Sequence, residues 1–183
     1  MRPLDGIKVV TLEHAIAAPF CTRQLADLGA RVIKVERPGV GDFARGYDER
    51  VHGLSSHFVW TNRSKESLAL DLKQPEAAKI LDALVADADV LVQNLAPGAA
   101  DRLGLGYETL SEKYPKLIVC DISGYGSDGA YPKVSSYEEG VTVPDALSDF
   151  SRQGPSTTCQ SGFDPYEVTA WLVASGSEGS DPA

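Results

Sequence analysis

The chain has 183 residues, 43% of them hydrophobic, and a formal net charge of −9. That length suits one domain with a tail, the apolar share excludes wholesale disorder, and no apolar run reaches the ~18 residues that cross a bilayer. The acidic balance argues against nucleic acid as the main partner. Three scattered cysteines and the lack of a signal-peptide pattern favour a cytoplasmic location over a disulfide-bonded secreted one.

The chain opens with the pattern of a βαβ unit. Residues 7–12 form a short apolar run that predicts a buried strand, and Pro19 suits the first turn of a helix. Apolar residues then recur at roughly helical spacing as far as Leu28, and Gly29 predicts the end of that helix. Residues 31–36 are the second strand, and the length of the connection predicts that the two strands are parallel.

Residues 37 to about 65 break this pattern and predict a long irregular stretch, which in a compact domain is more often functional than idle. Regular elements return afterwards, with an alternating strand at 67–72 and an amphipathic helix at 75–88. Ile80 is one of the apolar residues expected on the buried side of that helix. A further buried strand is predicted at 89–93.

Two short helices follow, at 99–102 and 107–114, and the last clear strand is predicted at 117–122. Alternating strands and helices predict an α/β fold with a mainly parallel, Rossmann-like sheet. No internal repeat is present.

The composition changes after Lys133. Residues 1–133 carry a net charge of −2, whereas residues 134–183 carry −7, with Arg152 as the single basic residue. The second segment is also rich in Ser, Gly, Pro and Thr, which is typical of a chain that cannot build a packed core. The sequence therefore predicts an α/β domain over 1–133 and a divergent, disordered or irregular acidic tail over 134–183.

Ligands of such sheets bind beyond the carboxyl ends of the strands. Arg37, Lys73 and Arg102 follow predicted strands or a short helix there, and cations on one rim suit a phosphate-bearing ligand. The alternative is that they are ordinary solvated charges. The sequence has no G-x-G-x-x-G, P-loop or G-x-S-x-G motif, and its three histidines have no partner ligand at a recognisable metal spacing, so no metal is expected.

A series of short blocks in a fixed order resembles the opening of the class III CoA-transferases, the CaiB/BaiF family. The resemblance covers residues 3 to about 133, and its blocks are 4–10, 18–19, 25–30, 32–38, 41–42, 62–67, 70–73, 97–98, 102–107 and 123–126, together with Arg45 and Asn94. The resemblance implies that CoA or acyl-CoA binds as a substrate, with no tightly bound cofactor. It also implies a small carboxylic acid as acceptor and an interlocked homodimer.

Carried over residue by residue, the resemblance predicts which positions contact CoA. The loop after the first strand would lie by the thioester, the basic rim would hold the ADP part, and the glycine-rich loop would supply amides. The residues are His14, Ala15, Ile16, Arg37, Leu70, Lys73, Asn94, Leu95, Arg102, Ser123 and Gly124. Ile16 departs from the family, since several relatives carry glutamine there.

The family's chemistry is nucleophilic. An aspartate carboxylate attacks the acyl-CoA carbonyl, and the reaction passes through anhydride and aspartyl-CoA intermediates before the acceptor acid takes CoA. The family places that aspartate about forty residues beyond the Ser-Gly-Tyr-Gly loop. Asp164 and Glu167 fall near this distance, but their surroundings do not match the family's pattern. The catalytic residue is therefore not identified.

Family members are roughly twice as long or more, so we expect this chain to be the front part of a larger fold. A shifted reading frame or an alternative exon would explain the composition break. A truncated fragment that only binds CoA or assists assembly is the alternative to an active transferase. An acyl-CoA racemase ranks last, because Tyr137 occupies the position where those relatives have a histidine, and a phenol is a poor base at neutral pH.

Overall fold

The computed structural model describes residues 1–123, which build a five-stranded parallel sheet. The strand order is β3-β2-β1-β4-β5, and every neighbouring pair is parallel. The strands are β1 Lys8–Leu12, β2 Arg31–Glu36, β3 Lys65–Ala69, β4 Val90–Gln93 and β5 Ile118–Asp121. This arrangement confirms the predicted α/β fold with a parallel, Rossmann-like sheet.

Five α-helices and one short 3-10 helix connect the strands. They are α1 Ala17–Asp27, the 3-10 helix Phe43–Gly46, α2 Ser56–Asn62, α3 Pro75–Ala86, α4 Ala99–Arg102 and α5 Tyr107–Lys113. Helix α2 lies in the stretch predicted to be irregular, so that prediction is wrong there. The Ser55 side chain accepts a hydrogen bond from the Phe58 amide (3.4 Å) and caps this helix, a local signal that aromatic and β-branched neighbours obscure.

The two faces of the sheet are packed differently. On the face that we call the α3 face, Leu91 and Val119 join Leu81 and Val85 of α3 and Leu110 of α5 in a cluster of large aliphatic side chains. The opposite face, here called the α1 face, carries small and β-branched residues. They are Val9, Val32, Val90, Val92 and Cys120 from the strands, Ala18 and Ala26 from α1, and Ala30 directly before β2. Successive strand residues alternate between the two faces.

Three details differ from the sequence prediction. Leu28 is 45% exposed, because α1 buries its small face around Ala18 and Ala26 against the sheet. Ile80 is 47% exposed, since α3 turns Leu81 and Val85 inward. Strand β3 begins two residues earlier than predicted. Its pairing with β2 begins with Lys65 opposite Val32, before the alternating run of residues from which the strand was predicted.

The predicted tail at 134–183 lies outside the described residues, and so do Gly124, Tyr137, Asp164 and Glu167. The division of the chain at residue 133 therefore stays a prediction. Within residues 1–123, no helix has the length and apolar character needed to cross a membrane.

Candidate functional site

The loop between β1 and α1 lies where the chain order of the strands reverses, with β2 on one side of β1 and β4 on the other. In open parallel sheets this position is the usual ligand site. The Asn94 side chain, just beyond β4, grips the loop at His14. Its Oδ1 accepts from the His14 amide (2.8 Å) and its Nδ2 donates to the His14 carbonyl (2.9 Å). The structure thus brings together two of the predicted site residues.

Asp42 holds the same loop from the β2 side. This fully buried carboxylate accepts hydrogen bonds from the Ala15 amide (3.1 Å) and the Ala44 amide (2.9 Å) through Oδ1. Its Oδ2 accepts from Nζ of Lys34 (2.6 Å), a lysine that is 1% exposed and projects from the middle of β2. The loops that follow β1 and β2 are therefore tied together through one side chain.

Glu13 forms the centre of a second set of buried contacts at the end of β1. Its carboxylate accepts from Nζ of Lys65 (2.6 Å) and from the hydroxyls of Thr11 (2.8 Å) and Thr22 (2.6 Å). Nζ of Lys34 lies 3.8 Å from the same carboxylate. Two lysines and two carboxylates, Glu13 and Asp42, thus balance in charge in a nearly water-free layer, the condition under which buried charges are tolerated.

These surroundings shift two pKa values in the cluster. Burial alone would raise the pKa of the Asp42 carboxyl, but neighbouring His14, the Lys34 ammonium and the Ala44 amide hold that pKa well below its usual range. Burial lowers the pKa of Lys65 to about 8, and the carboxylate of Glu13 only partly opposes this. Asp42 therefore stays ionised throughout the physiological range.

The His14 ring lies beside this anchor. It stacks on Phe43, with ring centroids 5.4 Å apart and an interplanar angle of 19°. Its Nδ1 atom is buried, lies 3.8 Å from Oδ1 of Asp42, and has no hydrogen-bond partner among the described residues. Buried nitrogens without a partner are uncommon in folded proteins, so the His14 ring is an exception that requires an explanation.

A third anchor fixes the loop that follows β2. The buried Glu36 carboxylate accepts two hydrogen bonds from Arg45, both 2.9 Å, and one from the Asp42 amide (3.1 Å). Ser67 of β3 donates to the same carboxylate (3.0 Å). Arg45 is thereby paired with a buried carboxylate although its own side chain is 40% exposed. Arg37, directly after β2, is exposed at the strand end.

The other predicted residues follow the strand ends as expected from the topology. Lys73 is exposed beyond β3, and Leu70 is half-buried there. The Leu95 amide donates to Oε1 of Gln93 (2.6 Å), and this side-chain hydrogen bond holds the backbone directly after β4. Arg102 ends α4, and Ser123 follows β5.

Sequence reasoning missed the buried anchor of Glu13, Lys34, Asp42 and Lys65. One signal was available, because Lys34 interrupts the apolar run 32–35 of a central parallel strand, where a charge needs a buried partner. Within residues 1–123 no cluster of His, Cys, Asp or Glu suited to a metal ion is found.

The fold and this strand-end site define a Rossmann-like α/β domain with a ligand loop anchored by buried charge. A family model described as CoA-transferase family III matches residues 4–169. The chain belongs to this family, which confirms the resemblance seen in the sequence.

Curated relatives agree with this assignment. The chain is 42% identical over 177 residues to human succinyl-CoA:glutarate CoA-transferase, covering 96% of this chain and 40% of that protein. It is 41% identical over 138 residues to formyl-CoA:oxalate CoA-transferase of Rhodopseudomonas palustris, covering 75% of this chain and 32% of the relative. The chain thus spans about two fifths or less of the length of these relatives.

Solved structures give the same result. A CAIB/BAIF family protein from Brucella suis superposes with a TM-score of 0.69 at 39% identity, covering 74% of this chain and 37% of that one. The hypothetical protein Rv3272 from Mycobacterium tuberculosis superposes with a TM-score of 0.67 at 35% identity, again over 74% of this chain and 37% of the other.

Proposed function

We propose that residues 1–123 form the CoA-binding part of a CoA-transferase that moves CoA between small carboxylic acids. The observation that carries the proposal is the anchored β1–α1 loop at the switch point of the sheet, in a chain of this family. A loop held at three backbone groups presents its remaining amides and carbonyls in a fixed arrangement, as recognition of a thioester requires.

In this proposal the predicted residues divide between the two ends of CoA. The segment His14 to Ile16 lies by the thioester, with Ser123 and Gly124 as further amide donors. Arg37, Lys73 and Arg102 hold the phosphates of the ADP part, supported by the neighbouring Leu70, Asn94 and Leu95. Exposed cations at strand ends suit phosphates because each can form charge-assisted hydrogen bonds.

The transfer step needs an ionised carboxylate outside the described residues. That carboxylate attacks the acyl carbonyl and expels the CoA thiolate, which then attacks the resulting anhydride at the enzyme's carbonyl and releases the donor acid. The acceptor acid takes CoA by the reverse steps. Because the chain spans about two fifths of its first relatives, a fragment that binds CoA without turnover is the second candidate.

We place the protein in the cytoplasm, and a homodimer is the expected assembly. The location rests on the three scattered cysteines of the sequence, Cys21, Cys120 and Cys159, whose odd number and spacing suit a reducing compartment.

Calorimetry with CoA tests the binding proposal. We expect the wild-type chain to bind CoA, and Arg37→Ala and Lys73→Ala each to weaken binding by roughly tenfold through loss of a charge-assisted contact. Lys79→Ala removes an equally exposed cation from helix α3 and should leave the affinity unchanged. A wild-type chain that gives no heat with CoA would contradict the proposal.

Intact-mass measurement separates the transferase from the binding fragment. Incubation with succinyl-CoA should add the mass of CoA less one water to an active chain, because the enzyme's carboxyl becomes a thioester. Glutarate should then remove the adduct. CoA binding without any adduct would support the fragment instead.

A further inference from the structure

Ala15 has an unusual backbone conformation at the centre of the proposed site. Its φ is +63°, in the left-handed region, although it is neither glycine nor asparagine. Such a conformation costs on the order of 1 kcal/mol and persists only where the surroundings impose it. The residue is also almost completely buried, so its methyl group is packed in place.

Side chains from two flanking loops impose this conformation. Asp42 accepts from the Ala15 amide (3.1 Å), while Asn94 holds both the amide and the carbonyl of His14. Of these two side chains, Asp42 is the one that contacts Ala15 itself. The left-handed turn therefore depends on an acceptor supplied from beyond β2.

Asp42 can serve as this acceptor because every hydrogen bond of its carboxylate with the described residues comes from a donor. The carboxylate receives the Ala15 and Ala44 amides and the Lys34 ammonium, and Lys34 is itself held by Oδ1 of Asn62 (2.8 Å). An asparagine at position 42 has only one accepting atom, so its amide NH₂ would face a donor as long as Lys34 is present.

We propose that Asp42 is a positioning residue, which sets the β1–α1 loop for the pantetheine and thioester end of CoA and has no role in binding the nucleotide end. The proposal rests on the CoA site proposed above. It predicts that loss of the acceptor at position 42 separates the affinity for CoA from the affinity for adenosine 3′,5′-bisphosphate, which lacks pantetheine and thiol.

A matched pair of double variants tests this role without leaving a buried charge unpaired. Lys34→Met/Asp42→Asn keeps an oxygen that can accept from Ala15, because no lysine competes for it. Lys34→Met/Asp42→Ala removes that oxygen. We expect the second variant to bind CoA roughly fivefold more weakly than the first, with bisphosphate affinities equal within about twofold. Its Ala15 amide should also exchange with solvent faster.

Asp48→Asn is the control for stability alone. Asp48 likewise accepts two backbone amides, from Arg50 and Ser56 (both 2.9 Å), and its hydrogen bonds and ion pair join it to residues 50–57 rather than to the β1–α1 loop. This variant should lose stability and keep the wild-type ratio of CoA to bisphosphate affinity. Equal ratios and equal Ala15 exchange in the two double variants would overturn the positioning role alone. A wild-type chain that binds neither probe would overturn the CoA site and this proposal with it.

Discussion

The two faces of the sheet are buried in different ways, one by aliphatic packing throughout and the other in part by paired charges. The α3 face is filled by large aliphatic side chains such as Leu81, Leu91 and Leu110. The α1 face becomes polar toward the carboxyl ends of β1 and β2, where Glu13 and Lys34 meet their partners, one of which, Lys65, comes from the start of β3. The apolar face stabilises the domain through buried area, whereas the polar face fixes the directions of loops.

This difference has a physical reason. Aliphatic contacts are non-directional, so a core of this kind tolerates small shifts of the elements that it joins. Buried charges do not tolerate such shifts, because each charge must keep its partner at hydrogen-bonding distance or remain unpaired in a medium of low dielectric. A region that must present a loop in one conformation gains from the second arrangement, although ion pairs of this kind add little net stability.

The largest expected effect is on the polar face. Glu13→Gln leaves Lys65 without its carboxylate and presents an amide NH₂ toward donors, so we expect the free energy of unfolding to fall by about 3–5 kcal/mol. Urea unfolding followed by circular dichroism measures it. Glu13→Gln/Lys65→Met removes both charges and should recover much of the loss. A single variant as stable as wild type would show that the buried pair is dispensable.

The apolar face should respond through volume. Leu81→Ala creates a cavity in the cluster that also contains Leu91 and Leu110, and we expect a loss of roughly 3 kcal/mol in unfolding free energy. Ile80→Ala on the neighbouring, exposed position is the matched control and should cost much less. Leu70 and Leu95 of the proposed CoA site pack against this cluster, but the β1–α1 loop is anchored by hydrogen bonds from Asp42 and Asn94. The surviving folded protein should therefore keep the wild-type protection of the Ala15 amide from exchange with solvent. A specific loss of that protection would erase the distinction between the faces.

Much of the fold is legible in the sequence because buried parallel strands are apolar on both faces. Residues 31–36 and 99–102 were predicted with the bounds that the structure shows. The predicted start of edge strand β3 was two residues too late. Its sequence KESLA buries few residues, and its position is set by pairing with β2. Helix α2 was missed for a different reason, because the aromatic and β-branched residues that follow its capping serine obscure the helical pattern.

Only part of the site could be predicted from the sequence. His14 and Asn94 were predicted through the family resemblance, and they do meet in the structure. Asp42 lies in one of the blocks that carry the resemblance, but the sequence assigns it no role, because its partners Ala15 and Lys34 lie on separate elements. Spacing along the chain cannot show that a lysine in β2 and a loop aspartate share a hydrogen bond across the layer above the sheet.

The polar face should also respond to alkaline pH. The pKa of Lys65 is about 8 in the folded protein against an ordinary 10.5, so the folded state releases this proton first. Between these values the unfolded state binds more protons, and the Lys65 term makes the fold more stable as pH rises, by at most about 1.4 kcal/mol per pH unit. Subtracting the free energy of unfolding of Lys65→Met from that of the wild type, at each pH, isolates the Lys65 contribution, which should grow as pH rises. A contribution that shrinks with rising pH would contradict the lowered pKa of Lys65.

The smallest expected effect comes from the same substitution placed on the surface. Glu66 of β3 accepts two hydrogen bonds from Arg31 of β2 (2.7 and 2.9 Å), a geometry as good as any in the buried cluster, yet its side chain is 55% exposed. Water already solvates both charges, so Glu66→Gln should cost less than about 1 kcal/mol, and added salt should reduce even that. Urea unfolding at low and high salt, run beside Glu13→Gln, makes the comparison direct. If the two substitutions lower the free energy of unfolding equally, hydrogen-bond geometry rather than burial would set the strength of these contacts. Exclusion of water would then add nothing to the contacts on the α1 face.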